Sequence, residues 1–502
     1  MNVATRIAPI VSFRDTRRVA AFLTLLLACF FLILLCGLRT SDYFLRDPDT
    51  YWHIAVAQQI WQTGSFPRVD ELSFTFQGRP WIAKEWLSQL ILFGAYSLDG
   101  WRGVVLITAV TVAATYALLF WILSHKMRLT VAAGVATAAY MISIGHFVAR
   151  PQIFADPLII IWCAALVDAA QAKAPPPAWL LAIMALWANI HGSFTFGLLL
   201  VAALGAEATW ATGHGHRLRT AARWALFLFG AMAFACLTPY GYRSLLVTYQ
   251  LFGGANEAIR HITEWRPVTL DVLGFNEGLI FALLFLSLYF GVRVGFWRLL
   301  TILGVAYLML AHIRFTSLFG MLTPLLLATP LTDQYPFLRL SSQLRSDPRF
   351  FITVLGAART LRYPISVALI SGVVLFAAYG PAMLPRKAIT PQGAIDYIRA
   401  RQLSGNIYNF YDFGGYLIFS GIKTFIDGRS DQLFQNGFMS RLYDIVEHHP
   451  SQFGQLLDEY NISLALVAPD SAESHELARL TGWSRAYVDD VSELYQKMPA
   501  HD

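Results

Sequence analysis

"KEWLSQLILFGAYSL", residues 84–98, decides the topology of everything that follows it. It is apolar, but it is short beside the ~20 residues a membrane-crossing helix needs, and it opens on a Lys–Glu pair. Counting it as a span moves every later loop to the opposite side. With it left out and the N-terminus in the cytoplasm, short loops carrying Lys126, Arg128, Lys173, Arg217, Arg219, Arg223, Arg293, Arg298 and Arg339 fall inside, where Lys and Arg belong. The segment therefore reads as an amphipathic helix on the outer surface. Residues 50–62 read as a partner of the same kind.

The rest of the chain agrees. Of 502 residues, 56% are hydrophobic and 14% charged, with a mean hydropathy of +0.50; a soluble domain carries about a quarter charged residues. Apolar runs near 19–38, 103–124, 129–146, 152–169, 177–191, 193–212, 221–238, 277–292, 298–311, 315–330 and 364–384 make about eleven spans. The run at 19–38 follows Arg14, Arg17 and Arg18 like a signal peptide, but its length and the lack of an A-x-A site mark it as a retained first helix. The net charge of +6 gives no nucleic-acid signature, and the 4 cysteines have neither metal-ligand nor disulfide spacing. After residue 385, "GNIYNF", "KTFIDG", "SLALVAP" and "RAYVDD" read as short strands between helices, which implies a small α/β domain of roughly a hundred residues. The expected fold is mainly α: a polytopic membrane helical bundle over 1–384, whose first outer loop (39–102) holds two membrane-surface helices, with a soluble α/β domain over 385–502 on the extracytoplasmic side.

This topology collects the unusual polar residues on the outer side. Asp47 and Asp49 flank Pro48, and His53 lies four residues on, along the same helix face. One acid is explained by the helix dipole; two acids with an imidazole can also hold a divalent cation (Mg or Mn) or deprotonate a hydroxyl. Arg79, Lys84 and Glu85 follow, either as a solvated helix face or as a group that completes a metal site or orients an acceptor. Arg150 and Gln152 bracket Pro151 at the outer end of a span, where positive-inside does not account for a cation and a phosphate leaving group needs one. His312 and Arg314 are a second candidate of the same kind, with a snorkelling anchor as the rival explanation. Asn189 and His191 mark either a polar cavity or a turn. Tyr240, Glu264 and Trp265 lie on long outer segments, where an aromatic can stack on a sugar or merely sit at the interface. In "FIDGRSD", Asp427, Arg429 and Asp431 suit an internal Arg–Asp pair. No P-loop, dinucleotide fingerprint, HExxH, nucleophile elbow or zinc pattern is present.

An acid pair in the first outer loop, two surface helices there, about eleven spans and a soluble C-terminal domain resemble the GT-C superfamily of polytopic glycosyltransferases. The order "DPDTYWH", "GRPWIAKEW", "RPQ", "NIHGSF", "PYG" and "FIDGRSD" is similar to bacterial membrane proteins grouped with the family-39 transferases. The resemblance implies a bacterial inner-membrane enzyme that takes a sugar from a polyprenyl-phosphate carrier, with inversion, onto a glycan, lipid or protein acceptor. Asp47 or Asp49 would then act as base or metal ligand, and the other residues named above would bind substrate. Nucleic acid is not an expected partner; membrane lipids are. The "WWDYG"-type motif of oligosaccharyltransferases is absent. The alternatives are a transporter or flippase of lipid-linked sugars, an O-antigen-type ligase or polymerase, and a non-catalytic envelope assembly protein of GT-C ancestry.

Overall fold

Helices follow the apolar runs. The computed structural model describes residues 43–252, 262–269, 274–339 and 383–498. The expected run at 19–38, and all but the last two residues of 364–384, lie outside them. Helix α1 (Asp49–Thr63) starts after Pro48, whose φ of −65° is already helical, and ends at Gly64 in the left-handed region (φ 64°). Helix α2 (Trp86–Ser124) contains the deciding segment. It breaks at Asp99 and at Gly100, whose φ of 56° suits glycine. A Cβ on Gly103 would run into the Ala95 carbonyl, so the two arms fold closely together. Residues 84–98 are therefore an arm separate from the 103–124 span, as their length and charge suggest.

The bundle continues with α3 (Leu129–Ser143), α4 (Gln152–Gln171), α5 (Leu180–Ile190), α6 (Phe194–Ala211), α7 (Arg217–Ala235), α8 (Arg243–Phe252), α9 (Phe275–Tyr289), α10 (Phe296–Ala311) and α11 (Thr316–Gln334). Among the described residues, five helical segments are long and apolar enough to cross a membrane, and the apolar helices near α5, α9 and α10 are shorter. The protein is a membrane protein. The basic loops meet at one end: Lys126 pairs with Asp168 at 2.5 Å, the Arg128 N–H donates to the Leu338 carbonyl, and the Arg293 N–H donates to Gln334 Oε1. Arg298 departs from its expected place among them. It is 3% exposed, holds Glu207 through two hydrogen bonds of 2.6 and 2.7 Å, and donates to the Leu326 carbonyl. It is a clip between helices rather than a loop anchor.

The C-terminal part begins with α12 (Gln392–Ala400) and forms one four-stranded sheet in the order β1-β2-β4-β3: β1 (Asn406–Asn409), β2 (Ile462–Val467), β3 (Trp483–Val488) and β4 (Glu493–Lys497). β1 pairs parallel to β2; the other two pairings are antiparallel. Helices α13 (Gly414–Phe419), α14 (Phe438–His448), α15 (Phe453–Glu459) and α16 (Ala472–Leu477) connect them. "KTFIDG" is not a strand of this sheet. Its backbone bonds to the first outer loop instead: the Thr424 N–H donates to the Leu72 carbonyl and the Phe74 N–H to the Thr424 carbonyl. β4 was not expected.

Helix α1 is not an open surface helix either. Tyr51 sits edge-on between Trp101 and Tyr416, 5.0 Å from each, so α1 is covered by α2 on one side and α13 on the other. The seam is held by charge as well. Arg429, Asp427 and Asp70 are all fully buried. Arg429 donates to Asp427 at 2.8 Å through two nitrogens and to Asp70 at 2.6 Å through the third. The internal pair expected in "FIDGRSD" is present, with a third member from the outer loop.

Candidate active site

Two short segments meet at the end of the bundle away from the basic loops. The Ala149 N–H donates to the Phe44 carbonyl, and Thr50 Oγ1 donates to the Ala149 carbonyl. That pairing lays Arg150 across the start of α1. Its Nη2 donates to Asp49 Oδ2 at 2.5 Å, and its Nη1 donates to Asp47 Oδ2 at 3.1 Å and to Glu264 Oε1 at 2.7 Å. The remaining aspartate oxygens are also used: Asp47 Oδ1 accepts from the Asp49 N–H (2.9 Å) and Asp49 Oδ1 from Trp52 Nε1 (3.0 Å).

Three carboxylates share one guanidinium here, so negative charge is in excess. Burial drives the Asp49 pKa up to about 8; Arg150 offsets part of this and Asp47 adds to it. Asp47 is raised too, by burial first. Glu264 is half-buried, and Arg150 and then Arg314 outweigh its desolvation and hold it below the ordinary range. The trio therefore keeps a proton near neutral pH, on the aspartate pair, whose titration belongs to both groups.

The same donor set tests the metal expectation. A divalent cation bridging Asp47 and Asp49 would have to share carboxylate oxygens that Arg150, Trp52 Nε1 and the Asp49 N–H already engage. Among the described residues no group of three or more His, Cys, Asp or Glu is placed to hold a metal ion. As they stand, the carboxylates are organised around a guanidinium.

A cavity of about 850 Å³ opens beside this cluster. Of the expected residues, Asp47, Asp49, His53, Lys84, Glu85, Arg150, Gln152, His191, Glu264, Trp265 and Arg314 line it. Three do not. Arg79 is exposed, the Tyr240 hydroxyl accepts from the Ala83 N–H, and His312 Nδ1 lies 2.7 Å from the Trp265 carbonyl. Tyr240 and His312 support the wall from behind. Asn189 is structural, accepting from Trp86 Nε1 at 2.7 Å and donating to the Leu237 carbonyl.

Arg314 differs from Arg150. Its guanidinium lies over the Trp265 ring, 4.5 Å from the centroid, and among the described residues it makes no ion pair or hydrogen bond. Asp156 in α4 also lines the cavity without a hydrogen bond or ion pair among the described residues. It was missed in the sequence, although an acid inside an apolar run marks a functional position.

The C-terminal part closes the cavity with Tyr411, Asp412, Gly428, Ser430 and Asp431. Gly428 touches the site itself: a Cβ there would overlap Asp49 Oδ1 and stand 3.1 Å from Trp52 Nε1. A Cβ on Gly415 would overlap the Pro48 carbonyl oxygen.

No protein-family model and no curated protein matches the sequence. The chain is similar to solved structures that include two of ArnT. ArnT from Cupriavidus metallidurans bound to undecaprenyl phosphate is 13% identical, with a TM-score of 0.50 over 97% of this chain and 99% of its own. Its apo state is 16% identical, with a TM-score of 0.47 over 96% and 98%. The likeness to the first extends over nearly the whole chain and shows the fold, an ArnT-like membrane helical bundle with a C-terminal sheet.

Proposed function

We propose that the protein is a membrane glycosyltransferase that moves a sugar from a polyprenyl-phosphate carrier to an acceptor hydroxyl at the extracytoplasmic face of the bacterial inner membrane. The supporting observation is the division of labour between two arginines. Arg150 is taken up by three carboxylates, whereas Arg314 faces the same cavity with no direct ion pair or hydrogen bond among the described residues, and Glu264 acts on it only at longer range. A cation withdrawn from water without a counter-ion is costly, and the anion that fits is a phosphate at the membrane surface. The ArnT structure that shares this fold holds undecaprenyl phosphate.

In this reading the acceptor O–H gives its proton to Asp49 as its oxygen attacks the anomeric carbon. The bond from that carbon to the phosphate oxygen breaks, and Arg314 stabilises the departing polyprenyl phosphate. Arg150 aligns the carboxylates and does not meet the leaving group. Residues 1–384 form the membrane part and 385–502 the extracytoplasmic part, which covers the acceptor side. No step runs through a metal ion.

Arg314→Met removes the charge and keeps the bulk. It is expected to weaken undecaprenyl phosphate binding by about 10–100-fold, the range of a charge-assisted hydrogen bond. Binding to purified protein in lipid nanodiscs measures it; unchanged affinity would remove the leaving-group role of Arg314. The pH dependence follows from Asp49. The base must be unprotonated, and burial places its titration at about 8. Transfer is therefore expected to rise from pH 6 to pH 9 and to fall as acid restores the proton. A rate flat across that interval would show that the pair does not act as base.

A further inference from the structure

The cavity floor holds a second polar group that this chemistry leaves idle. His53 stands one turn after Asp49 on α1, Gln89 in the first turn of α2, Glu85 just ahead of that helix, and His191 at the residue that ends α5. Glu85 lies between the imidazoles, Oε1 at 3.3 Å from His191 Nε2 and Oε2 at 4.0 Å from His53 Nε2. Gln89 Nε2 is 3.1 Å from His53 Nδ1. With Nε2 donating, the imidazole carries its hydrogen on Nε2, toward Glu85, and Gln89 Oε1 is left without a partner among the described residues although the residue is only 1% exposed. Turning the amide over pairs Oε1 with an Nδ1–H and strands Nε2 instead. Either way one end of a buried amide is unsatisfied at a cavity wall, where buried polar groups are normally bonded.

Formal charge in this corner is already matched or suppressed. Lys84 is held by Asp431 at 2.5 Å. Burial raises the Glu85 pKa, and burial, then Arg150, keeps the His53 imidazole neutral. The Trp52 indole backs the His53 ring, with centroids 3.7 Å apart.

We propose that His53, Glu85, Gln89 and His191 form the subsite for the transferred sugar, and that this sugar is a neutral one read through its free hydroxyls. A hydroxyl both donates and accepts, which suits an orphaned amide end, imidazole nitrogens and a carboxyl together. A uronate would face Glu85, and an ammonium would face Lys84 and Arg150, the cations whose charge reaches both Glu85 and His53. The proposal rests on the glycosyltransferase reading above.

The experiment compares undecaprenyl phosphate, undecaprenyl phosphoglucose and its 4-amino-4-deoxy analogue on the full-length protein in nanodiscs. Wild type is expected to bind the glucosyl lipid more tightly than the bare phosphate. Gln89→Leu is expected to lose about tenfold on the glucosyl lipid, one hydrogen bond's worth, and nothing on the bare phosphate. Gln89→Met carries the same expectation if the leucine variant fails to fold. Equal loss on both ligands, or no loss on either, overturns the subsite. Tighter binding of the amino analogue overturns the neutral-sugar assignment. Wild type that binds none of the lipids overturns the functional reading itself, a separate failure.

Discussion

Asp49→Asn is expected to lower sugar transfer by about 10²–10⁴-fold, the usual contribution of a positioned general base. The amide has the shape of the carboxyl and its charge when protonated, so folding is expected to survive, as judged by protein level and undecaprenyl phosphate binding. What is lost is the ability to take a proton. Asp47→Asn tests the assignment of roles, because Asp47 Oδ1 supports the Asp49 N–H while Asp49 carries the higher burden of desolvation. Its effect is expected to be about tenfold. Transfer assays with a radiolabelled lipid-linked sugar separate the two. Unimpaired transfer by Asp49→Asn at normal protein level would end the catalytic assignment.

Arg429→Met is expected to have the largest structural effect. The arginine and both partners are 0% exposed, and removing one member of such a set leaves two buried carboxylates without a counter-charge, at a cost of about 3–5 kcal/mol. Asp70 is anchored besides by Ser73 and by the Leu72 N–H, and Asp427 by Thr424, so neither can turn to water without unmaking its loop. Thermal unfolding in detergent should show a large fall in midpoint, together with lost transfer. Adding Asp70→Asn and Asp427→Asn to Arg429→Met should recover part of the midpoint, because the uncompensated charge is then gone. A single variant as stable as wild type would show that the seam does not depend on this triad.

Much of the fold was legible in the chain. Run length and the placement of Lys and Arg set the helices and separated 84–98 from its neighbouring span, because hydrophobic length and charge bias act locally. The acids around Pro48, Arg150 and Arg314 were visible because a charge beside an apolar run is conspicuous. Their partnership was not visible: Arg150 joins Asp47 and Glu264, which lie far apart in the chain. In the sequence Gln89 is one polar residue in an apolar run and Asp70 one acid between two turn signals, with nothing to single out either. Only packing shows that one is orphaned and the other wholly buried. "KTFIDG" has strand-like composition, but tertiary pairing with the Leu72–Phe74 loop overrides that preference. Arg79, Tyr240 and His312 carry suitable chemistry in suitable loops, and the fold turns them outward or behind the wall.

The glycines at 415 and 428 have a consequence for how the protein is made. Asp49 emerges from the ribosome early, yet the backbone that must lie against it is translated nearly four hundred residues later. A nascent or truncated chain thus carries the acids without the backbone that packs on them, and the site is complete only once the last segment has docked.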